Sequence, residues 1–531
     1  MWARSFCWAT ILALPSCVNT ERSHPIDRIT RPDAATIERF STADDRRGVP
    51  VVAVVGAVDE ESSNAAPSVD VDPKTGLGFD EVMRSVEGQF PLILSALEEV
   101  QIARARLLSA EGGFDVAIKG DSENSPQGFY ETETAKLRVE QPTTFWGATV
   151  FTGYKIGSGD FPVWEGGRRT RTHGELSAGL SIPLLKGRTI DPRRLALWKA
   201  RLGEAQADPI VIEKRLDATR KAALTYWKWV AAGQKLGIAK RLLDLALTRQ
   251  QGIEISVEEG ALAPLSIVEN KRLMVERRSI VIRAERALEQ AAIALSLFWR
   301  DRQGAPLIPN ASQLPPSLPE PRNPEATIRE EDFDIALSSR PEIRALELDL
   351  LQLEFEGEKA ENDLLPKLDL TVAGSKDLGS RTTDPDDKGP FEFDILLNFD
   401  LPVQRRNAKG KILALDAKSV QLERKLQFAR ESVIAEVRDA QSALRQTWRR
   451  LAQVRENAAL AGQLEEAERV FLSEGQSDLL RVNLREQQTA SAASTLIDVV
   501  SEHFQSLSEY RASLGIPYDE SVPGRSAAKD R

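Results

Sequence analysis

Phe391-Glu392-Phe393-Asp394-Ile395-Leu396-Leu397-Asn398-Phe399-Asp400-Leu401-Pro402 is the stretch that decides the fold class. In an extended chain Phe391, Phe393, Ile395, Leu397, Phe399 and Leu401 share one face. Glu392, Asp394, Asn398 and Asp400 share the other, because successive side chains of a strand point to opposite sides. The alternation lasts about as long as the roughly 9 to 11 residues that a tilted strand needs to cross hydrocarbon. Pro402 cannot donate to a sheet ladder and ends it. Phe391, Phe393, Ile395, Leu397 and Phe399 are therefore expected to face lipid.

Downstream of Pro402 there is no proline until Pro517. Leu422, Leu426, Ala429, Val433, Val437, Ala440, Leu444, Trp448 and Leu451 step by threes and fours, the spacing of one helix face. Running to Gly475, this helix covers roughly 65 to 70 residues, on the order of 100 Å, and a second helix returns to about Leu514. Upstream, Asp332 to Asp363 reads as helical, and Leu368, Leu370 and Val372 as a strand. The loop Ser375 to Pro390 is polar and rich in turn residues.

The first half keeps the same order. Phe79 to Leu108 is helical, then Gly112-Gly113 gives way to alternation at Phe114, Val116 and Ile118. Leu176, Ala178, Leu180, Ile182 and Leu184 form a second strand. Trp146 to Ile156 also alternates, so the excursion from 120 to 174 either extends the hairpin or forms an extracellular elaboration. Asp191 to Arg300 is helical, with one interruption from Gly260 to Pro264. Pro183 precedes Gly260 by 77 positions and Pro402 precedes Gly475 by 73. Pro91 and Pro341 each open a helix that ends in a strand just over twenty residues later. The chain therefore reads as two structural repeats, 79–302 and 331–516. Between them lies a proline-rich connector, 303–330, whose prolines at 306, 309, 315, 316, 319, 321 and 324 forbid a continuing helix.

Composition agrees with long, thin helices. Charged residues are 28% and aromatics 6% of the 531, with three Met and three His, so neither a thick aromatic core nor a histidine-rich metal site is expected. The net charge of −10, with both signs interspersed, offers no basic face for nucleic acid. No stretch approaches the roughly 18 apolar residues of a spanning helix, so any membrane passage must use strands. Residues 1–17 read as a secretory signal ending in the lipobox-like Leu14-Pro15-Ser16-Cys17, which makes Cys17 the expected lipidated residue. Removal of the signal takes away Cys7, the only other cysteine, as suits an oxidising compartment. Residues 18–78 read as a polar tether and 517–531 as a flexible tail.

Two strands per repeat make four per chain, and four cannot close a wall without edges in lipid. Three copies give 12 strands, within the even-numbered range of bacterial barrels. The expected fold is mainly α with membrane β: helical hairpins forming an α-barrel beneath a 12-stranded β-barrel.

Arg340-Pro341-Glu342-Ile343-Arg344-Ala345, Leu365-Pro366-Lys367-Leu368 and Phe399-Asp400-Leu401-Pro402-Val403 resemble segments of the TolC-like outer-membrane efflux family. Ser181-Ile182-Pro183-Leu184 is the first-repeat counterpart of the last. Phe471-Leu472-Ser473-Glu474-Gly475-Gln476-Ser477-Asp478-Leu479-Leu480 resembles the family's helix-reversal signature, with Gly260 to Leu265 as its partner. The resemblance covers about residues 80–516. It implies an outer-membrane channel subunit of a tripartite efflux pump, working as a homotrimer in outer-membrane lipid. It further implies docking to a periplasmic adaptor (membrane fusion) protein that is fed by an inner-membrane RND or ABC transporter. Gly260, Leu262, Leu265, Gly475, Leu479 and Leu480 are then the expected docking tips.

In that family's namesake a pair of aspartates, six and nine positions after the second reversal glycine, narrows the periplasmic entrance. Here those positions hold Arg481 and Leu484, and the acids are Glu474 and Asp478, so the entrance set is Glu474, Asp478 and Arg481. His24, His173 and His503 are far apart and lack metal-ligand spacing, and no catalytic motif or cofactor loop is present in the sequence. Passive conduction without catalysis is the expected function. The alternative is a periplasmic coiled-coil scaffold, which has no use for amphipathic strands.

Overall fold

The computed structural model describes residues 76–161, 169–380 and 391–518, all within the second of two compact units, Val71–Arg531. The expected lipidation site Cys17, the tether up to residue 75 and residues 519–531 lie outside the described residues.

Each half opens with two helices broken by one proline. The first half has α1 (Phe79–Gln89) and α2 (Pro91–Glu111). A residue before proline is pushed out of the helical region, and Phe90 accordingly sits at φ −75°, ψ 120°. Pro91 then starts α2, where its missing N–H costs nothing. Four strands follow: β1 (Ala117–Ser125), β2 (Thr132–Pro142), β3 (Thr149–Gly159) and β4 (Glu175–Pro183). Asp191 caps the next helix, its carboxylate accepting from the Arg193 and Arg194 amides, with Pro192 at the first helical position. That helix, α3 (Pro192–Glu258), has 67 residues, and α4 (Leu265–Ser296) returns along it.

The second half runs α5 (Asp332–Ser339), α6 (Pro341–Asn362), β5 (Lys367–Asp377), β6 (Glu392–Asp400), α7 (Arg406–Ser473, 68 residues) and α8 (Leu479–Ser513). Arg340, before Pro341, repeats the Phe90 geometry at φ −70°, ψ 121°. α3 and α7 are each about 100 Å long and carry the shorter helices end to end. Beside the sheet the packing partners are α2 with α3, α3 with α6, and α6 with α7. Toward the reversals they are α4 with α3, α3 with α8, and α8 with α7.

The main core lies near the middle of these hairpins. Val82, Met83, Ile93, Trp227, Trp229, Val230, Leu295 and Phe298 are buried there. Aromatics are scarce in the sequence, yet the structure gathers them. Phe79 stacks on Trp227 at 5.1 Å, Trp227 on Phe504 at 4.6 Å, and Phe90 on Phe298 at 5.4 Å. The proline-rich connector is packed against this core through Leu307, Leu314 and Leu318. Gly233 of α3 has to be small, because a Cβ there would sit 2.5 Å from the Leu314 methyls.

The strands form one six-stranded antiparallel meander in sequential order, where four strands were expected. The additional pair is β2 and β3, inside the 120–174 excursion. The sequence marks β2 only weakly, because Lys136, Arg138 and Glu140 alternate with only three apolar residues, Ala135, Leu137 and Val139. β1 also begins later than Phe114, because Gly112 to Phe114 close a short 3-10 turn after α2.

Candidate functional site: the two faces of the sheet and the helical tips

The register lines up side chains across all six strands. Ile118, Val139, Thr152, Ala178, Gly374 and Phe393 form one continuous row. On that face the strands carry Leu137 on β2, Val150, Tyr154 and Ile156 on β3, Leu176, Leu180 and Ile182 on β4, and Leu368, Leu370 and Val372 on β5. β6 adds Ile395, Leu397 and Phe399. Its only charged members within the strands are Glu133 and Lys376, both at the ends furthest from the helices. Phe391, Phe393, Ile395, Leu397 and Phe399 are 58–66% exposed, although each is large and apolar. A face this apolar and this uncovered has no partner among the described residues.

The opposite face is charged. It carries Lys119, Asp121 and Glu123 of β1, Lys136, Arg138 and Glu140 of β2, Lys155 of β3 and Glu175 of β4. From the second repeat come Lys367, Asp369, Asp377, Glu392, Asp394 and Asp400. Cross-strand pairs tie parts of it together: Lys119 with Glu140, Lys155 with Glu175 at 3.2 Å, and Lys136 with Asp121 at 3.4 Å. Phe151 is the one aromatic on this face. Its ring lies over Gly179, and the Arg138 guanidinium stands 3.8 Å from the ring centroid, so the ring is covered from both sides.

At the other end of the hairpins, Gly260 and Gly475 take φ +75° and +72°, a left-handed conformation that glycine adopts without steric cost. Both reversals are closed by the same hydrogen bond to the carbonyl five residues back, from the Ala261 amide to Ser256 O and from the Gln476 amide to Phe471 O, each 2.8 Å. Leu265 and Leu480 are exposed, while Leu262 and Leu479 are half-buried. Glu474, Asp478 and Arg481 are exposed in the same turn. Asp478 caps α8, its carboxylate accepting from the Arg481 amide at 2.8 Å, and the Arg481 guanidinium stands 3.8 Å away. That carboxylate is thus committed to holding the helix start and is partly neutralised.

A further cluster near the tips was not expected. Glu486 of α8 is fully buried, and its carboxylate accepts from Arg249 of α3 and from Arg277 of α4 at 2.9 Å, with Arg469 of α7 at 3.6 Å. Arg277 also donates to the Leu242 carbonyl at 2.6 Å, and Arg249 donates to Asn483. One carboxylate therefore joins four helices, two from each repeat. The legible signal was a charge on an apolar stripe, since Glu486 follows Val482 by one turn. His503, also on α8, is buried beside Trp448 and Phe504. Among the described residues there is no metal-ligating cluster and no helix apolar enough to span a membrane.

An antiparallel sheet with one bare apolar face and one charged face, inserted in each of two repeats between a short helix and a helical hairpin about 100 Å long, is the fold of outer-membrane channel subunits. Among solved structures, the outer-membrane protein VceC of Vibrio cholerae matches with a TM-score of 0.58 and 13% identity, over 82% of this chain and 96% of that one. The open-state MtrE channel of Neisseria gonorrhoeae matches with a TM-score of 0.57 and 15% identity, over 83% and 89%. The CmeC channel of Campylobacter jejuni gives a TM-score of 0.57 and 14% identity, over 88% and 95%. No protein-family model and no curated protein sequence matches the chain. The likeness is therefore one of fold.

Proposed function

We propose that this chain is the subunit of an outer-membrane efflux channel, three copies of which enclose a passive duct. The observation that carries the reading is the division of the sheet into an uncovered apolar face and a charged face. In hydrocarbon every strand edge must be paired, and the outer edges of β1 and β6 have no neighbouring strand among the described residues, so copies have to complete the wall. The apolar face meets lipid, the charged face lines water, and the helical hairpins continue the duct into the periplasm. Energy comes from an inner-membrane pump, and a periplasmic adaptor grips the tips at Leu265 and Leu480.

The purified chain is expected to fractionate with outer membranes, to resist carbonate extraction and to form ohmic channels in planar bilayers. A water-soluble monomer that opens no channel would end the proposal. Replacing Leu265 and Leu480 by Asp should abolish crosslinking to the adaptor and drug export while leaving bilayer conductance intact. Undiminished crosslinking would move the docking surface elsewhere.

A further inference from the structure

Resting on that channel reading, we infer that the β2–β3 hairpin is itself part of the membrane wall, so that a trimer closes with eighteen strands and a wider duct than the twelve expected from the sequence. Three observations carry this, and the first is continuity. β2 and β3 continue the rows of β4, β5 and β6 without a break in register. Four of their five charges, Lys136, Arg138, Glu140 and Lys155, fall on the charged face, with Glu133 at the end furthest from the helices the exception, while Leu137, Val150, Tyr154 and Ile156 fall exposed on the apolar one. An extracellular flap bathed in water on both sides has no need of that division.

The second observation is tilt. In the row that joins Val139 to Phe393, Val139 is the apolar residue of β2 nearest the helices, whereas Phe393 is the strand residue of β6 furthest from them on that face. The apolar band therefore slides by about five residues across four strand steps. At about 3.3 Å per residue and 4.8 Å per step this is a tilt of about 40°. Strands in closed barrels tilt by roughly 35–45°. A band that drifts evenly from β6 to β2 places all of these strands in one tilted wall.

The third is the ends of the hairpin. The turn between β2 and β3 carries Phe145 stacked on Trp146 at 4.5 Å, with the Arg188 guanidinium 4.7 Å over the indole. It rests against the junction from β4 to α3, where a Cβ on Gly147 would be 2.7 Å from the Gly187 carbonyl. Phe129 and Tyr130 pair at 4.8 Å at the opposite end of β2. Aromatic girdles at both interfaces mark the limits of membrane barrels. Closure is also consistent. Six strands leave β1 running away from the helices and β6 toward them, so β1 of one copy meets β6 of the next antiparallel. Since barrel diameter grows about linearly with strand number, eighteen strands widen the outer duct by roughly half.

The test is spin-label accessibility in the full-length chain, with Cys7 and Cys17 replaced by Ser and the protein reconstituted in phosphatidylcholine vesicles. Single labelled cysteines go at Leu137, Val139 and Ile156, at Lys136 and Arg138, and at Ile395 and Leu397 as the reference. Leu137, Val139 and Ile156 should match Ile395 and Leu397, relaxed by oxygen and shielded from a water-soluble nickel chelate, with the ratio inverted at Lys136 and Arg138. If Leu137, Val139 and Ile156 respond to nickel while Ile395 and Leu397 stay in lipid, the hairpin stands outside the wall and only this inference falls. If Ile395 and Leu397 respond to nickel as well, the channel reading falls with it.

Discussion

His503 stands on the buried stripe of α8, and its Nδ1 has no hydrogen-bond partner among the described residues. Burial, reinforced by the positive charge of Arg455, holds its pKa below the usual 6.5. The unfolded chain therefore takes up a proton as pH falls through about 6.5, while the folded chain refuses it until a lower pH. Stability from this group is complete above 6.5, erodes below it, and levels off beneath the folded pKa. Glu81 and Glu87 work the other way, since burial raises both carboxyls. A comparison with His503→Leu isolates the imidazole: the wild-type unfolding midpoint should fall further between pH 7 and pH 5 than that of the variant. Parallel losses would assign the acid sensitivity elsewhere. Gly260 and Gly475 invite a paired test, because a Cβ at either meets nothing within 4 Å and only backbone strain remains. Gly260→Ala and Gly475→Ala should each destabilise by about 1 kcal/mol in urea unfolding. Clearly unequal costs would argue against equivalent turns.

The two ends of a helical hairpin are held by different forces. Near the middle the packing of α1, α3 and α4 is apolar, through Trp227, Val230 and Leu295, whereas toward the tips Gln250, Asn270, Arg277 and Glu486 occupy the buried stripes. Polar groups at such positions fix register and partner choice more than they add stability. Glu486 binds the α3–α4 hairpin to the α7–α8 hairpin. Its replacement by Gln leaves three guanidinium groups facing one another, at a cost of roughly 3–5 kcal/mol as for a broken buried pair. Glu486→Gln channels are expected to show a larger and noisier conductance, because the hairpins part at the entrance. Unchanged conductance together with an unchanged unfolding midpoint would reduce the cluster to packing. Helix lengths and reversals were legible in the sequence because Pro91, Pro341, Gly260 and Gly475 act on their own neighbourhoods. The Glu486 cluster was legible only as a charge on the Val482 stripe, since its partners lie 209 and 237 residues away and nothing in its own neighbourhood points to them. The β2–β3 hairpin lay between these cases, with β3 visible as alternation from Trp146 to Ile156 and β2 hidden by its charges.

Across the whole molecule, the charged face of the sheet carries nine carboxylates, Asp121, Glu123, Glu140, Glu175, Asp369, Asp377, Glu392, Asp394 and Asp400, against five basic groups, Lys119, Lys136, Arg138, Lys155 and Lys367. The basic residues of β1 to β3 have carboxylate or aromatic neighbours at close range, such as Glu140, Asp121, Glu175 and Phe151. The surplus is therefore concentrated on β5 and β6. In a trimer this wall repeats three times around one lumen, so the negative potential is symmetric and focused by the surrounding hydrocarbon. The outer duct should prefer cations over anions by roughly a few-fold, as rings of acidic side chains do in cation channels. The measurement is the reversal potential of the reconstituted channel under a potassium chloride gradient. Asp394→Asn with Asp400→Asn should carry that potential toward zero with little loss of conductance, because neither change narrows the wall. Screening should do the same to the wild type, since raising salt from 0.1 M to 1 M shortens the Debye length from about 10 Å to about 3 Å. A potential indifferent to both the substitutions and the salt would place the selecting charges at the periplasmic tips.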